Sequence, residues 1–230
     1  MSIIFQSIVE YAYAKKMGTT QLIRIKKPKI EKKNICVLKV YEQCKLETAL
    51  LENPHSTNLA VLLALHTGMR LGEVCALHWD DVDLIERQIH DRWTVMQDRN
   101  GMTTIGKPKS ETSDRLIPIT GRLARLLSEE KANSATSFVF LSPKKGTFLN
   151  PRTMQYRFKS ILKMIGLPAI TFHALRHTFA TRWIECGMDV KSLSEVLGHA
   201  SVQITLDIYV HSSDTLKREA IERIESISPY

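Results

Sequence analysis

The run Leu197-Gly198-His199-Ala200-Ser201-Val202-Gln203-Ile204-Thr205-Leu206-Asp207-Ile208-Tyr209-Val210-His211 decides how this chain is read. Tyr209 stands ten positions after His199, and a second cluster, His173-Ala174-Leu175-Arg176, lies a short helix's length upstream. A tyrosine hydroxyl has an ordinary pKa of about 10 and is a poor nucleophile at neutral pH, so a chain that uses one must surround it with positive charge. Two guanidinium groups are on hand: Arg176, and Arg70 in His66-Thr67-Gly68-Met69-Arg70-Leu71-Gly72-Glu73. Both can fork onto the non-bridging oxygens of one phosphodiester, a contact an ammonium does not make. His173 and His199 are the groups that handle protons near neutrality.

Working outward, Asp189 to Gly198 and Ser201 to Tyr209 read as a helix, a glycine-marked turn and a second helix. The preceding helix runs from about Phe172 to Cys186 and puts His173 and Arg176 on one face; His177, beside Arg176, reads as a packing or hydrogen-bonding residue outside the site. Residues 151 to 165 form a helix with Asn150 as N-cap and Pro151 at the first helical position, and residues 121 to 131 form another. From Gln88 to Ile119 the period changes to two. Ile89, Asp91, Trp93 and Val95 mark one strand, Asn100-Gly101 a hairpin turn, and Arg115 to Ile119 a second strand, together a small antiparallel sheet.

An apolar helix over Leu59 to His66, capped by Ser56 or Thr57 and stopped by Gly68, places Arg70 just past a turn, and a short helix from Leu71 to Leu77 follows it. Glu73 in its first turn complements the helix dipole. Asp80, Asp81 and Asp83 could hold magnesium, but directly after Trp79 and before the strand pattern a turn is the better reading. At the start of the chain, Ile4, Ile8 and Tyr11 recur at helical spacing over residues 3 to 16, with Gly18 as the stop.

The net charge is +8 and the sequence pI about 9.3, a balance that favours a polyanionic partner. The excess is N-terminal: residues 1–45 carry ten Lys and Arg against three Glu, whereas residues 46–230 carry 22 basic and 21 acidic side chains. Five lysines fall within residues 26–33, where Pro28 and like-charge repulsion argue for an extended linker. The cysteines at 36, 44, 75 and 186 have no metal-site or disulfide spacing, and free thiols fit a reducing cytoplasm. No stretch approaches the ~20 apolar residues of a membrane span, so no membrane partner is expected.

In order, TGMRLGE, PKSETSDRLIPI, HALRHTFAT, LGHAS and DIYVH resemble the catalytic domain of the tyrosine recombinases, the phage integrase family, over roughly residues 38 to 230. The resemblance implies an α+β, predominantly helical, DNA breaking-rejoining fold with a small antiparallel sheet. It implies that residues 1–37 are the tail of a helical core-binding domain plus a basic linker lying along the phosphate backbone of double-stranded DNA.

Tyr209 would attack a phosphodiester without metal or nucleotide cofactor, giving a 3′-phosphotyrosyl link and a free 5′-hydroxyl. Arg70 and Arg176 would neutralise the charge on the pentavalent phosphorus and His199 would add a hydrogen bond. Lys109, with Lys107 as the near rival, matches the hairpin lysine that protonates the leaving oxygen, and His173 would accept the tyrosine proton. Glu73 would orient the loop that bears Arg70. The apolar stripe Leu216, Ala220, Ile221, Ile224 and Ile227 would pack on its own domain or dock in a neighbouring protomer on DNA, with accessory DNA-bending proteins as further candidates. Two other readings stand beside recombination: a type IB topoisomerase with the same chemistry, and a helix-turn-helix regulator without chemistry, which leaves Arg70, Lys109 and the His173–Arg176 pair unexplained.

Overall fold

The computed structural model describes residues 2–15, 36–97, 102–108, 114–142, 147–209, 221, 222 and 225. The chain forms two compact units, Met1–Asn34 and Ile35–Tyr230. In the first, α1 (Ser2–Ala14) takes up most of the stretch from 3 to 16 expected to be helical; residues 16 and 18 lie outside the described residues. The basic run at 26–33 and most of the tail after Tyr209 lie outside the described residues.

The second unit is built around α3 (Ser56–Thr67), whose Leu59 to Leu65 are all buried. A helix apolar on every side belongs in the middle of a domain. Among the helices that pack on it are α2 (Val40–Glu52), α5 (Gly121–Ala132), α6 (Pro151–Met164) and α7 (His173–Glu185). Each of these offers a stripe rather than a whole surface; on α6 it is Met154, Phe158 and Leu162, four residues apart. Truncating one such leucine to alanine costs about 2–5 kcal/mol.

α3 is capped by His55, whose Nδ1 accepts from the Thr57 amide at 3.2 Å, not by Ser56 or Thr57 themselves, which already lie inside the helix. At its other end Gly68 takes φ 68°, and its N–H closes on Ala64 O at 3.0 Å. A side chain on Gly68 is barred twice: the backbone is left-handed, and a Cβ would sit 2.7 Å from both Leu197 Cδ2 and Phe179 Cδ1. The turn therefore brings α3, α7 and the end of α8 (Val190–Leu197) together.

The period-two stretch divides. β2 (Gln88–Asp91) pairs antiparallel with β1 (Val82–Asp83) on one side and β5 (Arg115–Pro118) on the other, and β3 (Thr94–Gln97) pairs separately with β4 (Thr103–Gly106). The expected single strand from Ile89 to Val95 breaks at Arg92 and Trp93, where Arg92 turns aside to an ion pair with buried Asp81 at 2.5 Å. Asn100 and Gly101 lie outside the described residues. In the β2–β5 register Ile89 faces Ile117 and Asp91 faces Arg115, so all four side chains point to the same covered face. β3 packs on α4 (Leu71–Ala76). The Asp cluster makes a turn: Asp83 Oδ1 accepts from the Ile85 and Glu86 amides, both at 2.9 Å.

Candidate active site

Arg70 stands between α3 and α4 in extended backbone, φ −72° and ψ 152°, and serves as the N-cap position of α4. Glu73, three residues on, reaches back: its Oε2 accepts from the Arg70 amide at 2.7 Å and its Oε1 from Arg70 Nη1 at 2.7 Å. One buried carboxylate thus fixes both the backbone and the head of Arg70, leaving the guanidinium partly exposed.

A second guanidinium grips Glu73 from the sheet. Arg115 Nη2 donates to Glu73 Oε2 at 2.9 Å, its Nε donates to Val196 O at 2.6 Å, and its Nη1 lies 2.6 Å from Asp91 Oδ2. All three charged groups are buried. Burial works to raise the Glu73 pKa, but the Arg115 and Arg70 guanidinia override it and hold the carboxyl down at about 2. Burial and then the Glu73 charge push Asp91 the other way, to about 9, against the pull of Arg115. Two carboxylates facing one guanidinium push each other's titration apart, Glu73 downward and Asp91 upward.

α7 supplies Arg176, which is 2% exposed. Its Nη1 donates to Gly68 O at 2.9 Å and its Nη2 to Leu197 O at 2.7 Å. Arg70 Nη2 donates to Gly198 O at 3.3 Å. The two arginines therefore converge on successive carbonyls of the turn after α8. Burial, then the neighbouring Arg70 charge, lowers Arg176 to about 10, which leaves it charged at neutral pH.

Beyond that turn, Gly198 is left-handed at φ 62° and α9 (Val202–Tyr209) runs back over α7 and α8. His199 Nδ1 lies 2.8 Å from the hydroxyl of buried Thr205. Tyr209, half-buried, brings its Oη to 2.7 Å from His177 Nδ1, and its ring lies parallel to that of His199 with centroids 6.4 Å apart. Burial raises the Tyr209 pKa while Arg176 and Arg70 oppose the rise, so the phenol keeps its proton at neutral pH. Burial and the adjacent cations hold His199 down at about 4; burial, His173 and Arg176 hold His177 there too.

Of the residues singled out from sequence, Arg70, Arg176, His199 and Tyr209 gather around the Leu197–His199 turn. His173 sits at the solvent edge with its ring edge-on to His177 at 4.6 Å between centroids, and burial followed by Arg176 lowers its pKa. Lys109 lies outside the described residues; Lys107 follows β4 and is exposed. Three further residues join this arrangement. His177, read from sequence as a packing or hydrogen-bonding residue, does make a hydrogen bond, and its place four residues after His173 puts both on one helix face. Arg115 and Asp91 read only as strand residues.

Among the described residues no helix is long and apolar enough to cross a membrane. The family profile described as phage integrase family matches residues 36–215. A tyrosine recombinase XerC-like protein of Caldanaerobacter subterraneus subsp. tengcongensis is 31% identical over 196 residues, covering 75% of this chain and 50% of that protein. Tyrosine recombinase XerA of Pyrococcus horikoshii is 34% identical over 173 residues, covering 74% and 55%. The chain spans about half the length of the curated relatives it matches. Among solved structures, the Tn1549 transposon integrase in complex with a circular intermediate DNA superposes with a TM-score of 0.79 at 21% identity, over 94% of this chain and 75% of that one, and so shares the fold. With the profile matching most of its length, the chain belongs to the phage integrase family, the tyrosine recombinases.

Proposed function

We propose that this chain breaks and rejoins double-stranded DNA in site-specific recombination of a mobile element. The observation that carries the reading is the gathering of Arg70, Arg176, His199 and Tyr209 around one turn, built from three separate stretches of sequence. Tyr209 Oη attacks the phosphorus; the Oη–P bond forms, the P–O5′ bond breaks, and the 5′-oxygen leaves with a proton from Lys109. Arg70 and Arg176 offset the charge that builds on the equatorial oxygens, where one preorganised donor is worth ~3–4 kcal/mol. With Nδ1 on Thr205, His199 can present Nε2 to the same phosphate. The phenol proton passes to His173. The phosphotyrosyl bond resembles the phosphodiester it replaces, so a 5′-hydroxyl from another strand reverses the step and completes exchange.

Residues 38–230 are the catalytic unit in this reading, and residues 1–37 add a helix and a basic strap along the DNA backbone. Named relatives include transposase A from transposon Tn554 and the ICEBs1 integrase, which favours a mobile element over a relaxing enzyme. Assembly of several copies on DNA, through the apolar stripe after Tyr209, belongs to the same proposal.

The test is metal-free incubation of the protein with nicked duplexes tiled across the ends of its own genetic element, beside Tyr209→Phe. A protein–DNA adduct on a denaturing gel, absent for Tyr209→Phe, and transfer of the cut strand to a second duplex are expected. Relaxation of supercoils without strand transfer would favour the topoisomerase reading.

A further inference from the structure

Guanidinium groups only donate hydrogen bonds, so neither Arg176 nor Arg70 can take the proton of the hydroxyl they surround. A half-buried phenol needs an acceptor. Among the described residues the group in place is His177, whose Nδ1 is 2.7 Å from Tyr209 Oη. We infer that His177 is a positioning residue for Tyr209: its Nδ1 accepts the hydroxyl proton and fixes Oη beside Arg176 with its lone pairs turned toward the phosphate. The inference rests on the reading of Tyr209 as nucleophile and goes beyond it by assigning what aims the nucleophile.

Three features carry it. First, the helical register: His177 follows Arg176 on α7, so the backbone that buries Arg176 against Gly68 and Leu197 turns the next side chain toward α9. Second, among the described residues α9 has little else to hold it. Thr205 is its one buried residue, while Val202, Ile204 and Leu206 are exposed. The apolar contact of Tyr209 is with the small cluster of Ala180, Leu193 and Leu197. Polar contacts at His199–Thr205 and His177–Tyr209 therefore set where the helix lies. Third, the imidazole is kept in the form that can accept. Burial, the His173 ring packed against it and the Arg176 charge all disfavour its protonation, so at neutral pH Nδ1 carries a lone pair and the proton sits on Nε2. The same depression makes His177 a weak base, which is why its part is aim rather than bulk proton removal.

Two measurements test this. The first needs no DNA: imidazole 15N spectra of the protein and of Tyr209→Phe. A neutral His177 with the proton on Nε2, whose Nδ1 resonance moves when the hydroxyl is deleted, is expected; no change overturns the contact. The second is single-turnover adduct formation by His177→Asn and His177→Phe on ordinary DNA and on DNA with a 5′-bridging sulfur at the cleaved phosphate. The thiolate leaves without a proton, so that substrate repairs defects on the leaving-group side only.

His177→Phe should form adduct ~10-fold more slowly or worse on both substrates at unchanged DNA affinity, the loss of one hydrogen bond. His177→Asn, whose amide oxygen reaches the Nδ1 position, should recover most of the rate. Equal rates for His177→Phe and the parent, or full repair by the sulfur substrate, would overturn the inference. A parent chain that forms no adduct on either substrate counts against Tyr209 as nucleophile, and the 15N comparison then decides His177 alone.

Discussion

Glu73 and Arg115 meet at 2.9 Å in the interior, and the same carboxylate holds Arg70 by backbone and side chain. Arg115 in turn reaches Val196 O at 2.6 Å, just before the turn that carries His199. A single buried ion pair thereby links the segment that carries Arg70 to the turn that carries His199. Glu73→Gln leaves Arg115 buried with a lost partner and should cost about 3–5 kcal/mol in unfolding free energy, measured by urea denaturation. The pair also sets an acid limit. The carboxyl is near 2 in the fold against an ordinary 4.5, so its stabilisation is present above 4.5 and is lost as pH falls from there toward 2. Glu73→Gln should lose that part of the acid transition.

Asp91 behaves oppositely. Its folded pKa of about 9 exceeds the ordinary 3.8, so the fold retains a proton that the unfolded chain releases, and stability declines as pH rises through that window. Asp91→Asn imitates the protonated acid. It should leave the melting temperature near pH 4 little changed and raise it relative to the parent near pH 8, by calorimetry at the two values.

The histidines near Tyr209 should titrate far from their usual range. His199 and His177 stand at about 4 in the fold, whereas an unfolded chain takes protons near 6.5. Folding stability from these groups is thus complete above 6.5 and falls as pH drops toward 4. NMR titration of the imidazole resonances should show both midpoints near 4, and a midpoint of 6.5 for His199 would mean that the burial and neighbouring cations assigned to it are wrong.

Gly68→Ala combines a left-handed backbone with a Cβ 2.7 Å from Leu197 Cδ2 and Phe179 Cδ1. Strain alone should cost ~1–3 kcal/mol. Because Gly68 O accepts from Arg176, any shift that relieves the clash also moves that guanidinium. The variant should be both less stable by thermal melting and slower in adduct formation than its loss of folded protein explains.

Much of this was legible from sequence because local chemistry announced it. Asn150 does cap α6, its Oδ1 accepting from the Arg152 amide at 2.9 Å; Asp189 caps α8; and Gly68 and Gly198 end their helices in left-handed backbone. α2 was not foreseen: its buried face, Glu42, Leu46 and Leu50, includes a charged residue and is diluted by polar neighbours, so the apolar period is weak. The break at Arg92 was invisible because a partner 11 positions back, Asp81, causes it. Arg115 could not be read as part of the site, since its partners lie 42 positions before it and 81 after it. His177, read as a packing or hydrogen-bonding residue, does make a hydrogen bond, but its partner Tyr209 lies 32 positions on and was not legible from the local sequence; its four-residue spacing from His173 marks the shared helix face.

The most direct measurement of the account is the site of covalent attachment. After incubation with nicked element-end DNA, nuclease trimming and trypsin digestion, the peptide from Ser192 to Lys217 contains Tyr209 as its one tyrosine. Mass spectrometry should find that peptide carrying a nucleotide through its 3′-phosphate, with fragmentation placing the added mass on Tyr209. Attachment to any other residue, or the same adduct in Tyr209→Phe, would contradict the account.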